Sequence, residues 1–192
     1  VTTAPLRSTG AVRESLLVEL VDERGRAAGS CTVAWAHTVP GRLHRAFSVL
    51  LFDASGRTLL QRRAAVKTRF PLLWSNACCG HPEPGQSVTA AAAIRLGEEL
   101  GIRLDPHELT EAGVHHYHAG DPATGRVEHE WDHVVLGRVE GEPPNPDPAE
   151  IDDYAWVHPQ DLRTALATAP ERYTPWLAGV LGIAHPADLD TP

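Results

Sequence analysis

Apolar residues fall along this chain in short runs broken by Gly, Pro and Asp clusters, with one stretch of helical spacing between them. Residues 15–21 (SLLVELV) read as a strand, and Asp22-Glu23-Arg24-Gly25 supplies a turn. Residues 46–53 (AFSVLLFD) read as a buried strand, turned by Asp53-Ala54-Ser55-Gly56 into a hairpin partner at residues 58–62. An irregular stretch follows to Trp74, and residues 76–82 (NACCGHP) read as a loop. Residues 87–100 form the clearest helix. Ser87 is placed to cap its N-terminus, four alanines in a row favour it, and Gly101 suits the position just past its end. Ala92, Leu96 and Leu100 recur every fourth residue and make an apolar ridge.

Residues 114–118 and 127–139 read as two more strands around a turn at residues 121–125. A Pro-rich acidic loop (residues 141–153), a short strand (154–157) and two helices complete the pattern. Thr174 and Pro175 are placed as N-cap and first position of the last helix. Strands interleaved with helices predict an α/β (α+β) class: a mixed sheet sandwiched between helices. Only about forty residues follow the acidic loop, too few for a second core. One domain over residues 13–185 is therefore expected, between a flexible leader (1–12) and a tail (186–192).

Composition narrows the function. The chain has 192 residues and a net charge of −8, which argues against nucleic acid or an anionic membrane surface as the main partner. No apolar run approaches the ~18 residues of a membrane span, and no signal segment is recognisable. Three cysteines, two of them adjacent, make no disulfide framework and suit a cytoplasmic, reducing setting. Eleven histidines beside three Phe and three Tyr raise the question of metal or proton chemistry.

Glu128 and Glu130 lie two apart in a strand pattern, so both point to one face, roughly 7 Å apart, while His129, Trp131 and His133 point to the other. Such a pair is either the solvated side of an edge strand, or a pair of metal ligands or a general acid/base supported by a metal. His37, His44 and His81 sit in loops or at strand starts, where side chains can be aimed at a common point. Three imidazoles and two carboxylates would suit a borderline divalent ion in an open shell, not a closed structural zinc site. Cys79 precedes Gly80 and can serve proton transfer or nucleophilic attack, whereas Cys78 suits a small buried position. Arg95 and Glu99 have the spacing of an ordinary helix ion pair; alternatively Glu99 holds Mg²⁺ on a phosphate. Arg62, Arg63, Lys67 and Arg69 reverse the chain's charge locally and suggest an anionic group such as diphosphate.

Together these segments resemble type I isopentenyl-diphosphate isomerase, a branch of the Nudix fold, from about Leu17 to Trp176. The anchors are GRLHRAFS from Gly41, WSNACCGHP from Trp74, EELG from Glu98, VEHE from Val127 and TPW from Thr174. The Nudix box is degenerate: Gln86 stands where glutamate is usual, and Ile94-Arg95 replaces Arg-Glu, which is similar to the isomerase branch and unlike a diphosphate hydrolase.

The resemblance implies protonation of an alkene to a tertiary cation and removal of a proton from the opposite face. Cys79 and Glu130 would be the catalytic pair, with Tyr117 hydrogen-bonded to the glutamate. His37, His44, His81, Glu128 and Glu130 would hold one divalent ion, Mn²⁺ or Zn²⁺. Glu99 and the Cys79 carbonyl would hold Mg²⁺ on the diphosphate, Arg63, Lys67 and Arg95 would bind that group, and Trp176 would shield the cation.

The partner implied is a small prenyl diphosphate, bound by a monomer or homodimer. Val33 departs from the pattern, standing where the family carries a lysine. Either Arg42, Arg62 or Arg69 makes good that charge, or the site serves a different or longer prenyl diphosphate, by isomerisation or cyclisation.

Overall fold

The apolar run of the fifth decade becomes β3 (His44–Phe52), the strand around which the sheet is assembled. Every residue in it except Arg45 is buried, as a strand covered on both faces requires. β3 runs parallel to β8 (Val127–Arg138), from His44 opposite Glu130 to Phe52 opposite Arg138. On its other side it pairs antiparallel with the short β6 (Cys78–Gly80), which sets Ser48 opposite Cys79. β1 (Leu17–Val21) and β2 (Ala27–Thr32) extend the sheet one way; β4 (Thr58–Arg63), β5 (Trp74–Asn76) and β9 (Ile151–Val157) extend it the other. β7 (Leu109–Gly120) pairs with β8 and puts Tyr117 opposite Glu130. The computed structural model describes residues 10–140 and 145–184.

Helices cover both faces. α3 (Val88–Leu100) lays Ala92, Leu96 and Leu100 on Phe47, Val49, Leu51 and Val135. α4 (Pro159–Thr168) and α5 (Leu177–Ile183) pack Leu162, Leu177, Val180 and Leu181 on Leu50, Phe52, Val134 and Leu136. On the α5 side, β8 changes character along its length: Glu128, Glu130 and Asp132 give way to Val134 and Leu136, and all five are buried. The mixed sheet between helices is the architecture expected. The caps of α3 also agree: Ser87 Oγ accepts from Ala90 N at 3.4 Å, and Gly101 closes the helix at φ 68°.

Several expectations are corrected. Residues 76–82 are not one loop, because β5 and β6 use the backbone groups on either side of Ala77 to pair with β4 and β3. β2 and the four-residue α2 (Val33–Ala36) were not foreseen, β7 begins five residues before the expected 114, and β9 begins at Ile151. α5 starts at Leu177, because Thr174 spends its hydroxyl on Ser75 Oγ at 3.0 Å rather than on a helix amide. β8 is no solvated edge, since it lies between β3 and β7. Residues 10–12 of the expected leader join 13 and 14 in the short helix α1 (Gly10–Glu14); the rest of the leader and the expected tail lie outside the described residues. Among the described residues no helix is long and apolar enough to cross a membrane.

Candidate active site

Four separate segments bring five side chains to one point. His37 caps the end of α2, His44 opens β3, His81 follows β6, and Glu128 and Glu130 share a face of β8. One donor atom from each lies within 4.8 Å of every other. The local structure fixes the tautomers of the first two rings. His37 Nδ1–H donates to Val33 O and His44 Nδ1–H to Arg42 O, both at 2.7 Å, and a carbonyl can only accept. Each ring is thereby left with an Nε2 lone pair aimed inward. His37 Nε2 lies 2.7 Å from Glu128 Oε2, yet both atoms are buried without a hydrogen bond, as is His44 Nε2.

Buried lone pairs facing carboxylate oxygens repel unless a cation sits among them. Burial disfavours a charged His37, but Glu128 and then Glu130 outweigh it and raise the ring to about 9, so the cluster draws positive charge to this point. Burial holds His81 down to about 4, against its contact with Glu130, and keeps it a neutral donor. A divalent metal ion can take the place of the His37 proton, and three imidazoles, two of them with Nδ1 tied to a carbonyl, beside two carboxylates are a donor set that fits it.

Glu130 faces two ways. Its Oε1 is 3.1, 3.6 and 3.9 Å from the Nε2 atoms of His81, His44 and His37, and its Oε2 accepts from the Tyr117 hydroxyl at 2.7 Å. Burial alone would raise its pKa, but the three histidines hold it well below the usual carboxylate range. Burial and then Glu130 push Tyr117 well above its ordinary value, so its hydroxyl stays a donor.

A cavity of about 480 Å³ opens against this carboxylate, and Cys79, Tyr117, Trp176, Arg63, Lys67 and Arg95 also line it. The Cys79 thiol donates to Asn76 Oδ1 at 3.3 Å and lies 3.6 Å from Ser48 Oγ. Burial, with Asp132 nearby, pushes that thiol up, so it carries its proton. Trp176 Nε1–H donates to the same Asn76 oxygen at 3.0 Å. Cys78 points into the core and burial pushes it up to about 12, an inert thiol.

The mouth of the cavity is a lattice of charge. Arg95 contacts Glu98 and Glu99, Lys67 contacts Glu150, and Arg13 reaches Glu98 at 3.0 Å and Glu150 at 3.2 Å. Glu99 lies beneath Arg95, 1% exposed, with one oxygen lacking a hydrogen-bond partner. Arg63 is buried and held by carbonyls, donating to Phe70 O at 3.0 Å and Arg69 O at 2.8 Å, so its charge is left for another anion. Lys67 is lowered to about 8, chiefly by burial and by Arg63, against the pull of Glu150.

All five metal-ligand candidates thus converge, and Cys79, Tyr117, Trp176, Arg63, Lys67, Arg69, Arg95 and Glu99 stand on or just behind the cavity wall, whereas Arg42 and Arg62 do not line it. His129 turns away, stacked 5.7 Å from His116 on the opposite face. Sequence reasoning missed Asn76, Ser48, Glu14 and Glu150, and saw Asp132 only as part of an acidic strand face. An Asn three residues before a Cys carries no signal of its own, and Glu150 lay inside what read as a Pro-rich acidic loop.

Residues 42–177 match the NUDIX domain family. An isopentenyl-diphosphate delta-isomerase of Nocardia farcinica is 65% identical over 170 residues, spanning 88% of this chain and 95% of that protein. The isopentenyl-diphosphate delta-isomerase of Streptomyces griseus is 47% identical over 96% of this chain and 91% of its own length. A crystal structure of a Deinococcus radiodurans protein superposes with a TM-score of 0.69 at 22% identity, covering 86% of this chain and 97% of that one. A MutT protein from Methanosarcina mazei does so with a TM-score of 0.57 at 18% identity, over 73% and 91% of the two chains.

Proposed function

Because this chain belongs to the isopentenyl-diphosphate delta-isomerase family of NUDIX domain proteins, and is an isomerase of that kind, we propose that Cys79 and Glu130 handle the protons that turn isopentenyl diphosphate into dimethylallyl diphosphate. The observation that carries this assignment is the position of Glu130. Set against three imidazoles through one oxygen, hydrogen-bonded to His81 among them and to Tyr117 through the other, it faces a cavity that also exposes a protonated thiol.

The substrate's alkene is not activated, so a proton has to be placed on its terminal carbon, leaving a tertiary cation at the branched carbon. Loss of a proton from the carbon nearer the diphosphate then forms the product double bond. One member of the Cys79–Glu130 pair delivers the first proton and the other removes the second. Asn76 aims the thiol and Tyr117 aims the carboxylate. Trp176 offers its ring face to the cation, held by the bond from its Nε1 to Asn76. Trp176 and Tyr117 keep water from trapping that cation, with Phe70 packed edge-on behind Trp176.

His37, His44, His81, Glu128 and Glu130 would hold a divalent ion, Mn²⁺ or Zn²⁺, which supplies positive charge beside Glu130. Glu99, whose buried oxygen lacks a partner, would hold Mg²⁺ together with the Cys79 carbonyl. Arg63, Lys67 and Arg95 would bind the diphosphate. A hydrolytic reading lacks its base, because Arg95 stands at that place of the box and is engaged with Glu98 and Glu99. Three free cysteines fit a reducing, cytoplasmic setting.

The test is incubation with isopentenyl diphosphate in D₂O. Deuterium enters the product methyl group with the wild-type protein, and Cys79→Ala and Glu130→Gln each lose turnover. A wild-type protein, supplied with both metals, that yields no deuterated dimethylallyl diphosphate would refute the assignment.

A further inference from the structure

Val33 gives the α2 side of the cavity an apolar wall. Arg42 brings no charge there, since its guanidinium lies 3.3 Å from the Trp35 ring and bonds Trp35 O. Arg62 is likewise turned away, toward Leu72 O and Asp152. Arg69 is placed differently. Its side chain is 13% exposed and lines the cavity, with Nη1 2.7 Å from Glu14 Oε1 and Nε 3.2 Å from Glu128 Oε1.

The backbone that carries Arg69 is built into the site. Arg69 O accepts from Arg63, and the next residue, Phe70, holds a left-handed φ of 46° while its N–H donates to buried Asp121. A non-glycine residue in that conformation is costly, and such positions are kept where they aim something. Of the two carboxylates on the guanidinium, Glu128 belongs to the five-residue cluster. Glu14 comes from the end of the short α1, is 20% exposed, and is the exchangeable one. One anion on that guanidinium can be exchanged for another, and a phosphate on an arginine fork is among the stronger charge-assisted contacts.

We propose that Arg69 is a further diphosphate-binding residue of this cavity, and that Glu14 occupies its guanidinium until the substrate's anion takes that place. The inference rests on the prenyl-diphosphate reading of the cavity. It supplies positive charge beside the apolar Val33 wall, and it makes α1 part of the site rather than a leader.

Metal-loaded protein is titrated calorimetrically with inorganic diphosphate and Mg²⁺, and its bound divalent ion is counted by atomic emission. Arg69→Gln raises the dissociation constant about tenfold or more while keeping its ion. Glu14→Gln lowers the constant several-fold, because a competing carboxylate is gone. The proposal is overturned if Arg69→Gln binds diphosphate as the wild type does. It is overturned equally if Arg69→Gln loses its ion in step with its affinity, since Arg69 would then only hold Glu128. If Arg69→Gln does not fold, Glu14→Gln decides alone, and unchanged or weaker binding counts against the idea. Failure of the isomerase reading would show separately, as absence of deuterium from the wild-type product.

Discussion

Asn76 shows how much one amide can organise. Its Nδ2 donates to Cys78 O at 2.7 Å and Val49 O at 3.2 Å, which turns Oδ1 toward the cavity. There it accepts from the Cys79 thiol and the Trp176 indole, so the proton carrier and the cation's aromatic neighbour share one anchor. Asn76→Ala would leave the Trp176 N–H buried without an acceptor and the thiol free to rotate. A buried group so orphaned costs about 1–3 kcal/mol. If that loss falls on the transition state, kcat drops about 5- to 150-fold, which steady-state kinetics would show; wild-type kcat in a folded variant would mean that Asn76 does not aim the thiol. None of this was legible beforehand, because Asn76 in a row of small residues reads as loop. Glu128 and Glu130 were legible as a pair, since a spacing of two fixes a shared face in any strand. Their burial was not, because it depends on β3 and β7 flanking β8 and on Tyr117 and the three imidazoles standing over the carboxylates.

At the scale of elements, legibility followed length and local chemistry. α3 is thirteen residues with a serine before it and a glycine after it, and all of that information lies within the segment. β5 and β6 are three residues each, too short to show alternation, and they exist only because β4 and β3 offer free backbone groups. β2 (AAGSCT) is largely exposed and shows no apolar face to read. The tightness of β6 makes a prediction. A Cβ on Gly80 would lie 2.8 Å from Phe47 Cζ, and Phe47 is 1% exposed in the core under α3, so it cannot withdraw. Gly80→Ala should therefore cost about 1–3 kcal/mol and lower Tm by about 2–4 °C per kcal/mol in a domain of this size. It should also displace Cys79 and His81 on either side and reduce turnover. Gly182→Ala, in α5 with open space around it, is the comparison: its Tm should hold or rise. Equal melting of the two variants would mean that β6 has slack.

At the scale of the molecule, the five-residue cluster is where distant parts of the chain are joined. α2, β3, the segment after β6, and β8 contribute to it, and the core on the α5 side begins just beyond it at Val134. Without a metal ion, the two carboxylates and the inward-facing nitrogens are reconciled only by a proton on His37; a divalent ion in that place supports the convergence with more charge and more bonds. Ion binding should accordingly stabilise the whole fold, not only the catalytic step. An ion at 100 times its dissociation constant contributes about 2.7 kcal/mol, which at about 2–4 °C per kcal/mol is a Tm change of roughly 5–10 °C. Calorimetry on protein stripped by a chelator, then reloaded with Mn²⁺ or Zn²⁺ and checked for metal content, measures it directly. Glu128→Gln should show much of the stripped behaviour even with metal added, because one ligand charge is lost while the side-chain volume is kept. If the stripped and loaded proteins melt together, the cluster is held by hydrogen bonds and burial alone, and the metal has no part in the fold.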